Sequence, residues 1–324
     1  MRPTLEDVAR AAGVSRATVS RVVNNQPGVA PPVREWVRGV IAETGYQPHL
    51  GARALVSGQA DVVDLVIVDD DPRALSANPH YSRVISGVVE VLARKEVQLR
   101  VKLVTHAGTG KLLTDNARPL GTLLVNVHAD LAAQLRKSGR VVSMGRSAPR
   151  VPFFEPDNAA GVGLAVRHLF DSGRRKFAAV HGPADNPCAV DRRTGYLAAM
   201  AAVGSEPVSM EGDFTRPTAL RLARALLLEH PDVDAVFAAC DMTASAVLQA
   251  LAESGRRVPD DVAVVGFDDS VLASSASVPL TSVASPVERL AASATMVLLE
   301  PVIHGVGHAR VPVGLTVRRS STAV

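Results

Sequence analysis

The sequence predicts an α/β protein: a small all-helical head at the N-terminus, followed by a body of two lobes built on parallel β-sheets. Residues 1–56 contain short amphipathic helical patterns and no run typical of a strand. From residue 62 onwards, β-branched apolar runs alternate with amphipathic helical stretches. These elements are more numerous than one hydrophobic core accommodates, so two similar lobes are expected.

Each element of the body is predicted from its local pattern. Strands are predicted at residues 63–68, 97–104, 121–127, 140–144, 176–182, 234–239 and 262–267. Helices are predicted between them at residues 81–95, 131–138, 159–172, 190–203, 217–229 and 242–254. This alternation is typical of parallel sheets covered by helices on both faces. The small, polar segment SGQADV, residues 57–62, is predicted to link the head to the body.

Composition excludes several classes of protein. The chain has 324 residues, of which 47% are hydrophobic, so global disorder is excluded. No apolar run is long enough to cross a bilayer, and the first ten residues contain two acids and no apolar stretch typical of a secretory signal. Two cysteines, Cys188 and Cys240, do not make a disulfide framework in a chain of this length. We therefore expect a cytoplasmic protein without membrane contact.

The positive charge of the chain is concentrated in the head. The whole chain has a formal net charge of only +3. Residues 1–60 contain seven arginines, no lysine and four acids, so that segment carries the entire excess and the remainder is neutral. A basic head is typical of a nucleic-acid-binding domain. Aromatic residues make up only 3% of the chain, which argues against a single-strand binder built on stacked rings.

The head contains the pattern of a helix-turn-helix motif. Thr4 can cap a first helix over residues 4–12, which Gly13 then ends. Ser15 can cap a second helix over residues 15–24, whose valines 19, 22 and 23 are predicted to face inward. The remaining side chains of that helix then face outward, arginines among them. Two short helices joined by a tight glycine-containing turn, the second carrying arginines near its start, are typical of this DNA-binding motif.

The outer face of the second helix has the chemistry needed to read duplex DNA. The planar fork of an arginine can donate to both guanine O6 and N7 in the major groove. Serine and threonine hydroxyls suit phosphate contacts, which position a protein without reading sequence. The residues assigned to DNA contacts on this helix are Ser15, Arg16, Ala17, Thr18, Ser20, Arg21 and Asn24. The alternative is an ordinary surface helix with solvated arginines.

A third helix is predicted over residues 32–44, followed by a poor helix-forming stretch. The third helix has a predicted inner stripe consisting of Val33, Trp36, Val37, Val40 and Ile41. Residues 46–58, YQPHLGARALVSG, contain one proline and two glycines, so a free-standing helix there is marginal. Within this stretch Leu55 either wedges between base steps in a minor groove or packs against Tyr46 or the linker.

The run LEDVARAAGVSRATVSRVVNN resembles the LacI/GalR family of bacterial transcriptional regulators, and the likeness continues through PDNAAGVGLAVRHLFDSGRRKFAAVHGP and RRVPDDVAVVGFDD. The resemblance implies a DNA-binding head at residues 1–58 with a hinge helix at about 48–57. It implies an effector-binding and dimerisation body at residues 59–324, two-lobed like a periplasmic sugar-binding protein. The lobes would be joined by crossovers near residues 155–157, residues 284–286 and the last strand.

The resemblance also implies a mode of action. Members of this family are typically homodimers that bind a near-palindromic double-stranded operator, mostly as repressors. Paired hinge helices insert a leucine into the central minor groove, and Leu55 is the matching residue. A small effector, most often a sugar, binds between the lobes and shifts the equilibrium between their arrangements, which changes operator affinity.

Candidate effector residues lie where the body's strands end. Ligands of doubly wound sheets bind beyond the carboxyl ends of strands. Acids follow the first strand, and by matching to the family the candidate cleft residues are Asp71, His80, Tyr81, Arg192, Phe214, Cys240 and Asp268. A guanidinium and a carboxylate together suit paired sugar hydroxyls, whereas Phe214 and Tyr81 could stack on a sugar face. The structural alternative is that a phenylalanine at a strand edge belongs to the core and an aspartate after a strand caps a helix.

The sequence departs from the family pattern in three places. Residues 106–127 are shorter than usual, so the second helix of that lobe is expected to be reduced or lost. The run DDD at residues 69–71 is unusually acidic, which favours a polyhydroxylated or cationic ligand over a phosphorylated one. Cys240 stands where polar amides are common in the family.

Two other functions were weighed against regulation. A sugar-binding transport component would need a signal peptide and no basic head, which is the reverse of this sequence. A sugar-processing enzyme on a similar fold would need a catalytic base or a metal site, and no such constellation is found. No cofactor or metal is therefore expected.

Overall fold

A computed structural model describes residues 3–23, 27–46, 62–114, 119–300 and 308–322 of the chain. The backbone divides into two compact units, Met1–Asp61 and Val62–Val324, here called the head and the body. The expected hinge helix at residues 48–57, the expected boundary after residue 58, and the candidate DNA contacts Asn24 and Leu55 lie outside the described residues.

The head contains three helices. They are α1 (Leu5–Ala12), α2 (Arg16–Val23) and α3 (Pro31–Thr44). Thr4 begins α1 with a capping box: its hydroxyl accepts from the Asp7 N–H at 3.3 Å, and the Asp7 carboxylate accepts from the Thr4 N–H at 2.8 Å. Gly13 ends α1 with φ +68°, a left-handed conformation that suits glycine, and so turns the chain into α2.

A small core holds the three head helices together. Val8, Val19 and Val37, one from each helix, are fully buried. Trp36 differs from the prediction, because it is 57% exposed rather than part of the inner stripe of α3. Its indole N–H donates to the carbonyl of Ala12 at 2.9 Å, since that donor needs a polar partner and finds one at the end of α1.

Lobe one of the body is a six-stranded sheet in which all neighbouring strands are parallel. Its strands are β1 (Val62–Val68), β2 (Gln98–Val104), β3 (Gly121–Val125), β4 (Val141–Met144), β5 (Phe153–Pro156) and β11 (His308–Val311), in the order β11-β5-β4-β3-β1-β2. Its helices are α4 (Ala74–Ala77), α5 (Pro79–Arg94), α6 (Ala129–Ser138) and α12 (Val287–Leu299). Strand β1 is buried along its whole length, as expected of a parallel strand covered on both faces.

Lobe two is a second six-stranded sheet. Its strands are β6 (Phe177–Val180), β7 (Val208–Met210), β8 (Ala235–Ala238), β9 (Ala263–Asp268), β10 (Thr281–Ala284) and β12 (Gly314–Thr316), in the order β12-β10-β9-β8-β6-β7. Only β12 is antiparallel to its neighbour among these strands. The helices are α7 (Asn158–Asp171), α8 (Pro187–Val203), α9 (Arg216–Glu229), α10 (Asp241–Glu253) and α11 (Val271–Ser275).

Each face of the lobe-two sheet has its own hydrophobic core. Ala178 and Val180 of β6 lie in one cluster, whereas Phe177 and Ala179 lie in the other. Successive side chains of a strand point to opposite faces, so this alternation buries both sides of the sheet under helices. The predicted fold class, a helical head with a two-lobed parallel α/β body, is confirmed.

Three crossovers connect the lobes. The chain passes from β5 to α7 at residues 156–158, from β10 to α12 at residues 284–287, and from β11 to β12 at residues 311–314. These are the places that the resemblance implied. The described residues between β2 and β3 contain a 3-10 helix, His106–Thr114, and no α-helix, in line with the expected reduction of this segment. No helix in the described part of the chain is long and apolar enough to span a membrane.

Candidate functional site

Helix α2 presents the predicted DNA-contacting residues on one side of the head. Val19 and Val22 are buried against the other two helices, so the opposite side of α2 faces outward. Ser15, Arg16, Ala17 and Arg21 are exposed there, while Thr18 and Ser20 are half-buried.

The start of α2 is fixed by its cap. The Ser15 hydroxyl accepts from the Thr18 N–H at 3.1 Å, which satisfies one of the free donors of the first turn. No acidic residue lies in that first turn. Arg16 has a distant ion pair with Glu6, 4.0 Å between Nη1 and Oε1, and both side chains are largely exposed. Such a pair contributes little, so the guanidinium remains available to a phosphate or a base.

In the body, polar side chains from both lobes meet beyond the carboxyl ends of the strands. Lobe two contributes Arg192 from α8 and Asp268 from the end of β9. Lobe one contributes His80 and Tyr81 from the first turn of α5. Arg83, on the same helix as His80, donates to the Asp268 carbonyl at 2.6 Å, so the start of α5 lies against the end of β9 across the two lobes. We call this region the cleft.

Arg192 is a buried guanidinium held by several acceptors. It is 6% exposed, and its Nε donates to Asn158 Oδ1 at 2.9 Å. Its Nη1 donates to the Ala239 carbonyl, and its Nη2 lies 3.3 Å from Asp268 Oδ1. The guanidinium carbon lies 3.6 Å from the centre of the Phe267 ring. Burial of a cation requires such pairing, so Arg192 is fixed in orientation and its charge is neutralised.

Asp268 and Asp269 are adjacent in sequence, but their carboxylates have different hydrogen-bond partners. Both have a left-handed backbone, with φ +105° and +51°. Asp268 faces Arg192, whereas the Asp269 carboxylate accepts from Arg318 Nη1 at 2.7 Å and from the Thr316 hydroxyl at 2.8 Å. Only the first aspartate of the pair is therefore directed at the cleft.

His80 carries a half-buried imidazole at the start of α5. Its backbone N–H donates to Asn78 Oδ1 at 3.0 Å, which caps α5. Burial lowers the pKa of the His80 imidazole, and the Asp268 carboxylate only partly opposes this effect. A neutral imidazole has one donor and one acceptor, which suits a hydroxyl group.

Tyr81 does not present its ring to the cleft. It is 1% exposed, its hydroxyl donates to Asp69 Oδ2 at 2.7 Å, and it accepts from Asn126 Nδ2 at 2.7 Å. Burial, followed by the bond to Asp69, raises the pKa of the Tyr81 phenol. The expected stacking role of Tyr81 is wrong for this conformation, because its ring is enclosed in lobe one. Tyr81 instead orients Asp69 and Asn126.

Asp69, rather than Asp71, is the acid that joins the cleft residues of lobe one. The Asp71 carboxylate accepts from the Arg73 backbone N–H at 2.9 Å and from Arg73 Nε at 3.1 Å. The hydrogen bonds of the Asp71 carboxylate are therefore made within its own short loop, and the structure does not bring Asp71 together with Tyr81 or Asp268. The sequence contains three consecutive acids and cannot distinguish among them.

Phe214 follows β7 in the chain, and its ring lies against Gly182, just after β6. Its ring packs directly on Gly182, where a Cβ would collide with the ring, so the glycine makes room for it. Phe214 is half-buried and has φ +64°, a strained conformation for a bulky residue. Its remaining exposed ring surface is apolar and suits one face of a sugar.

The two cysteines are neutral thiols. Cys240 is 8% exposed and caps α10, since its sulfur accepts from the Thr243 N–H at 3.4 Å. Burial raises the pKa of the Cys240 thiol to about 11. Burial also raises the pKa of Cys188, whose thiol donates to Asn186 Oδ1 at 2.9 Å. For Cys240 the structure therefore shows a helix-cap role, which the sequence did not predict for this residue.

Several residues at the cleft were not predicted from the sequence. Arg83 Nη1 of lobe one donates to the Asp268 carbonyl of lobe two at 2.6 Å. Asn186 Nδ2 of lobe two donates to Asn126 Oδ1 of lobe one at 3.4 Å, and Arg146 pairs with Asp191 across the lobes. Asn126 follows a strand with φ +55°, and an asparagine in that place is the only signal that could have pointed to it.

Two family models match the chain. One, described as bacterial regulatory proteins of the lacI family, matches residues 4–49 and so covers the three head helices. The other, described as a periplasmic binding protein-like domain, matches residues 166–322 and so covers most of lobe two.

Comparison with known proteins gives relatives that align over nearly the whole chain. The HTH-type transcriptional regulator CelR of Thermobifida fusca is 38% identical over 315 residues, which cover 93% of this chain and 92% of the relative. The ribose operon repressor of Escherichia coli strain K12 is 31% identical over 314 residues, covering 92% of this chain and 93% of the relative.

Solved structures show the same arrangement. The transcriptional regulator CelR–cellobiose complex has a TM-score of 0.73 and 36% identity, covering 98% of this chain and 100% of that one. The lac repressor dimer bound to operator and the anti-inducer ONPF has a TM-score of 0.72 and full coverage of both chains. At 24% identity, this likeness shows a shared fold alone.

Proposed function

Because this chain belongs to the LacI family of bacterial regulatory proteins, we propose that a neutral sugar bound between its two lobes controls its affinity for operator DNA. The protein is a ligand-responsive, DNA-binding repressor and not an enzyme. The observation that carries the effector proposal is the buried Arg192 guanidinium held against Asp268 where the two lobes meet. Paired donors and acceptors of this kind recognise vicinal hydroxyls.

The charges of the cleft favour a neutral ligand. The nitrogens of Arg192 are already engaged by Asn158, Ala239 and Asp268, so the guanidinium offers no unpaired positive charge to a phosphate. Asp69 and Asp268 would repel a phosphorylated or carboxylated ligand. A sugar hydroxyl, by contrast, can both donate to a carboxylate and accept from an amide.

Other groups at the cleft can complete the recognition of a sugar. Asn158 is 1% exposed, and its Nδ2 has no hydrogen-bond partner in the described part of the chain, which leaves a costly buried donor for a ligand to satisfy. Phe214 supplies an apolar face and His80 a neutral imidazole. Since the similar regulator CelR forms a complex with cellobiose, we take cellobiose as the first candidate effector.

On the DNA side, we propose that two heads of a homodimer bind the half-sites of a near-palindromic operator. Arg16 and Arg21 would read bases in the major groove, and Ser15, Thr18 and Ser20 would hold phosphates. Residues 59–324 would form the effector-binding body and make the dimer contacts. The lac repressor, which shares this fold, is described as a dimer bound to operator. The head would comprise residues 1–58, with a hinge helix at about 48–57 that places Leu55 in the central minor groove. Asn24, which lies outside the described residues, stays a proposed contact.

The proposal is tested first by thermal shift with cellobiose, glucose, ribose, glucose 6-phosphate and hypoxanthine. A ligand at a hundred times its Kd stabilises the folded state by about 2.7 kcal/mol, so a raised Tm identifies binding. We expect the neutral sugars to include the stabilising ligand. A Tm raised only by the phosphorylated sugar or the nucleobase would contradict the neutral-sugar proposal.

The second test is operator retardation as a function of salt and of the sugar found. Affinity should fall steeply as salt rises, because phosphate neutralisation releases counterions. The sugar should change the midpoint of DNA binding, whereas glucose 6-phosphate should not. Binding that is independent of salt would contradict the assignment of the head.

A further inference from the structure

Asp241 is a buried carboxylate whose oxygens are both occupied. It is the first residue of α10 and is 1% exposed. Its Oδ1 accepts from the Ser282 hydroxyl at 2.6 Å, and its Oδ2 accepts from the backbone N–H of Ser270 at 2.6 Å. Burial and the nearby Asp268 carboxylate raise the pKa of Asp241 to about 7. A group that is this costly to bury calls for a role beyond packing.

The two bonds of Asp241 end at the same short turn. The Ser282 hydroxyl, which donates to Asp241, also accepts from the backbone N–H of Asp269 at 3.0 Å. The backbone amides of residues 269 and 270 are thus both anchored on Asp241, one through Ser282 and one directly. These are the two residues that immediately follow Asp268.

The turn needs such an anchor because its backbone conformation is unfavourable. Asp268 and Asp269 both have positive φ, +105° and +51°, a region that residues with a side chain rarely adopt. Conformations of this kind persist only where surrounding contacts over-determine them. The strand leading to the turn also makes room for the anchor: a Cβ at Gly266 would lie 2.6 Å from Asp241 Oδ1.

The direction of Asp268 depends on this turn. With the turn held, the Asp268 carboxylate faces Arg192 at 3.3 Å and its carbonyl accepts from Arg83 Nη1 of lobe one at 2.6 Å. A turn that relaxed to an ordinary backbone conformation would redirect both groups.

We propose that Asp241 is a positioning residue for effector recognition: through Ser270 and Ser282 it holds the turn at residues 268–270 in the conformation that directs Asp268 into the cleft. Asp241 itself need not touch the ligand. The inference rests on the proposed function, in which Asp268 binds the sugar, and it assigns a residue one step behind that contact.

Amide hydrogen exchange of the full-length, sugar-free protein tests the positioning role. In Asp241→Asn the amide oxygen can still accept from Ser282, but the amide nitrogen cannot accept from the Ser270 N–H, so exchange at residue 270 should rise at least about tenfold. In Ser282→Ala the exchange of the Asp269 N–H should rise instead. Asp261→Asn is the matched control, because Asp261 is an exposed carboxylate paired with Arg257. This variant should change the exchange of neither amide.

Two exchange results would overturn the proposal. One is unchanged exchange at residues 269 and 270 in both variants. The other is acceleration spread evenly over lobe two, because a merely structural role would loosen the whole lobe rather than the turn.

Calorimetric titration with cellobiose then tests the consequence. Both variants should bind the sugar at least about tenfold more weakly than wild type, while Asp261→Asn binds it normally. If wild type does not bind cellobiose, cellobiose is not the effector, and the exchange measurement alone decides the role of Asp241. If the turn loosens in Asp241→Asn while cellobiose affinity stays at the wild-type value, positioning for recognition is overturned.

Discussion

The guanidinium of Arg83 in lobe one donates to the main-chain carbonyl of Asp268 in lobe two, with 2.6 Å between Nη1 and the oxygen. The same side chain forms a bidentate pair with Glu288 at 2.6 and 2.8 Å, and it donates to the Ser285 carbonyl on the second crossover at 2.9 Å. One half-buried arginine therefore links α5, a crossover and the turn that carries the proposed effector contact.

The first prediction concerns coupling between the lobes. Arg83→Lys keeps the charge but cannot reproduce the planar fork, so the factor by which saturating sugar changes operator affinity should fall at least about fivefold. Operator titrations with and without sugar measure this factor. Arg94→Ala, on the same helix and paired with the exposed Glu90, is the control and should leave the factor unchanged. Equal coupling in Arg83→Lys and wild type would show that this contact does not transmit the effector signal.

The second prediction concerns base reading by α2. Arg16→Ala should reduce discrimination at one operator position, by about 1–3 kcal/mol if the guanidinium pairs bidentately with a guanine. Binding to a panel of single-base operator variants measures the change, and sugar affinity should be unaffected. Arg10→Ala is the control, because Arg10 is an exposed arginine of α1 paired with Asp7. If Arg16→Ala weakened binding to all operator variants equally, Arg16 would be a phosphate contact instead.

The third prediction concerns the proposed effector contact. Asp268→Asn should abolish the sugar response, because a neutral amide accepts fewer hydrogen bonds and leaves the buried Arg192 without its carboxylate partner. Calorimetry should show a loss of at least about a hundredfold in sugar affinity. In the operator retardation assay, this variant should still bind DNA, and sugar should no longer change that binding. A normal titration in Asp268→Asn would remove this residue from the site, whereas Asp261→Asn should titrate normally in any case.

The fourth prediction is a pH dependence of stability that arises from Asp241. Its pKa is raised to about 7 in the folded protein, above the ordinary value of about 3.9 in the unfolded chain. The folded state therefore holds a proton that the unfolded state releases, and its stability falls as pH rises between these two values. Compared with Asp241→Asn, which does not titrate, wild type should lose more than about 1 kcal/mol of unfolding free energy between pH 5 and pH 8.

Denaturant unfolding of the two proteins at pH 5, 6, 7 and 8 measures this difference. His181, whose pKa burial lowers to about 4, contributes stability that changes in the opposite direction with pH. Its effect is common to both proteins and cancels when the variant is compared with wild type. Curves that stay parallel across the pH range would show that Asp241 does not titrate as assigned.

Local patterns were sufficient to predict most of the architecture. The seven predicted strands and six predicted body helices all correspond to observed elements, because hydrophobic periodicity reflects which face of a segment is buried. The head was predictable for the same reason, together with its caps at Thr4, Gly13 and Ser15. Strands β5, β7, β10, β11 and β12 were not predicted, since each is short and has at most two hydrophobic residues, so no apolar run marks it. Helices α4, α11 and α12 were also missed.

The sequence by itself determined the helical head, the alternation that builds two parallel sheets, and the set of polar residues that end the strands. Tertiary structure alone decided which members of that set meet. It selected Asp69 over Asp71 and Asp268 over Asp269, enclosed Tyr81, and brought Arg83 to the opposite lobe. The physical reason is that periodicity and capping are local properties of a segment. The partner of a side chain at the end of a strand depends instead on how strands and helices far apart in the chain are aligned.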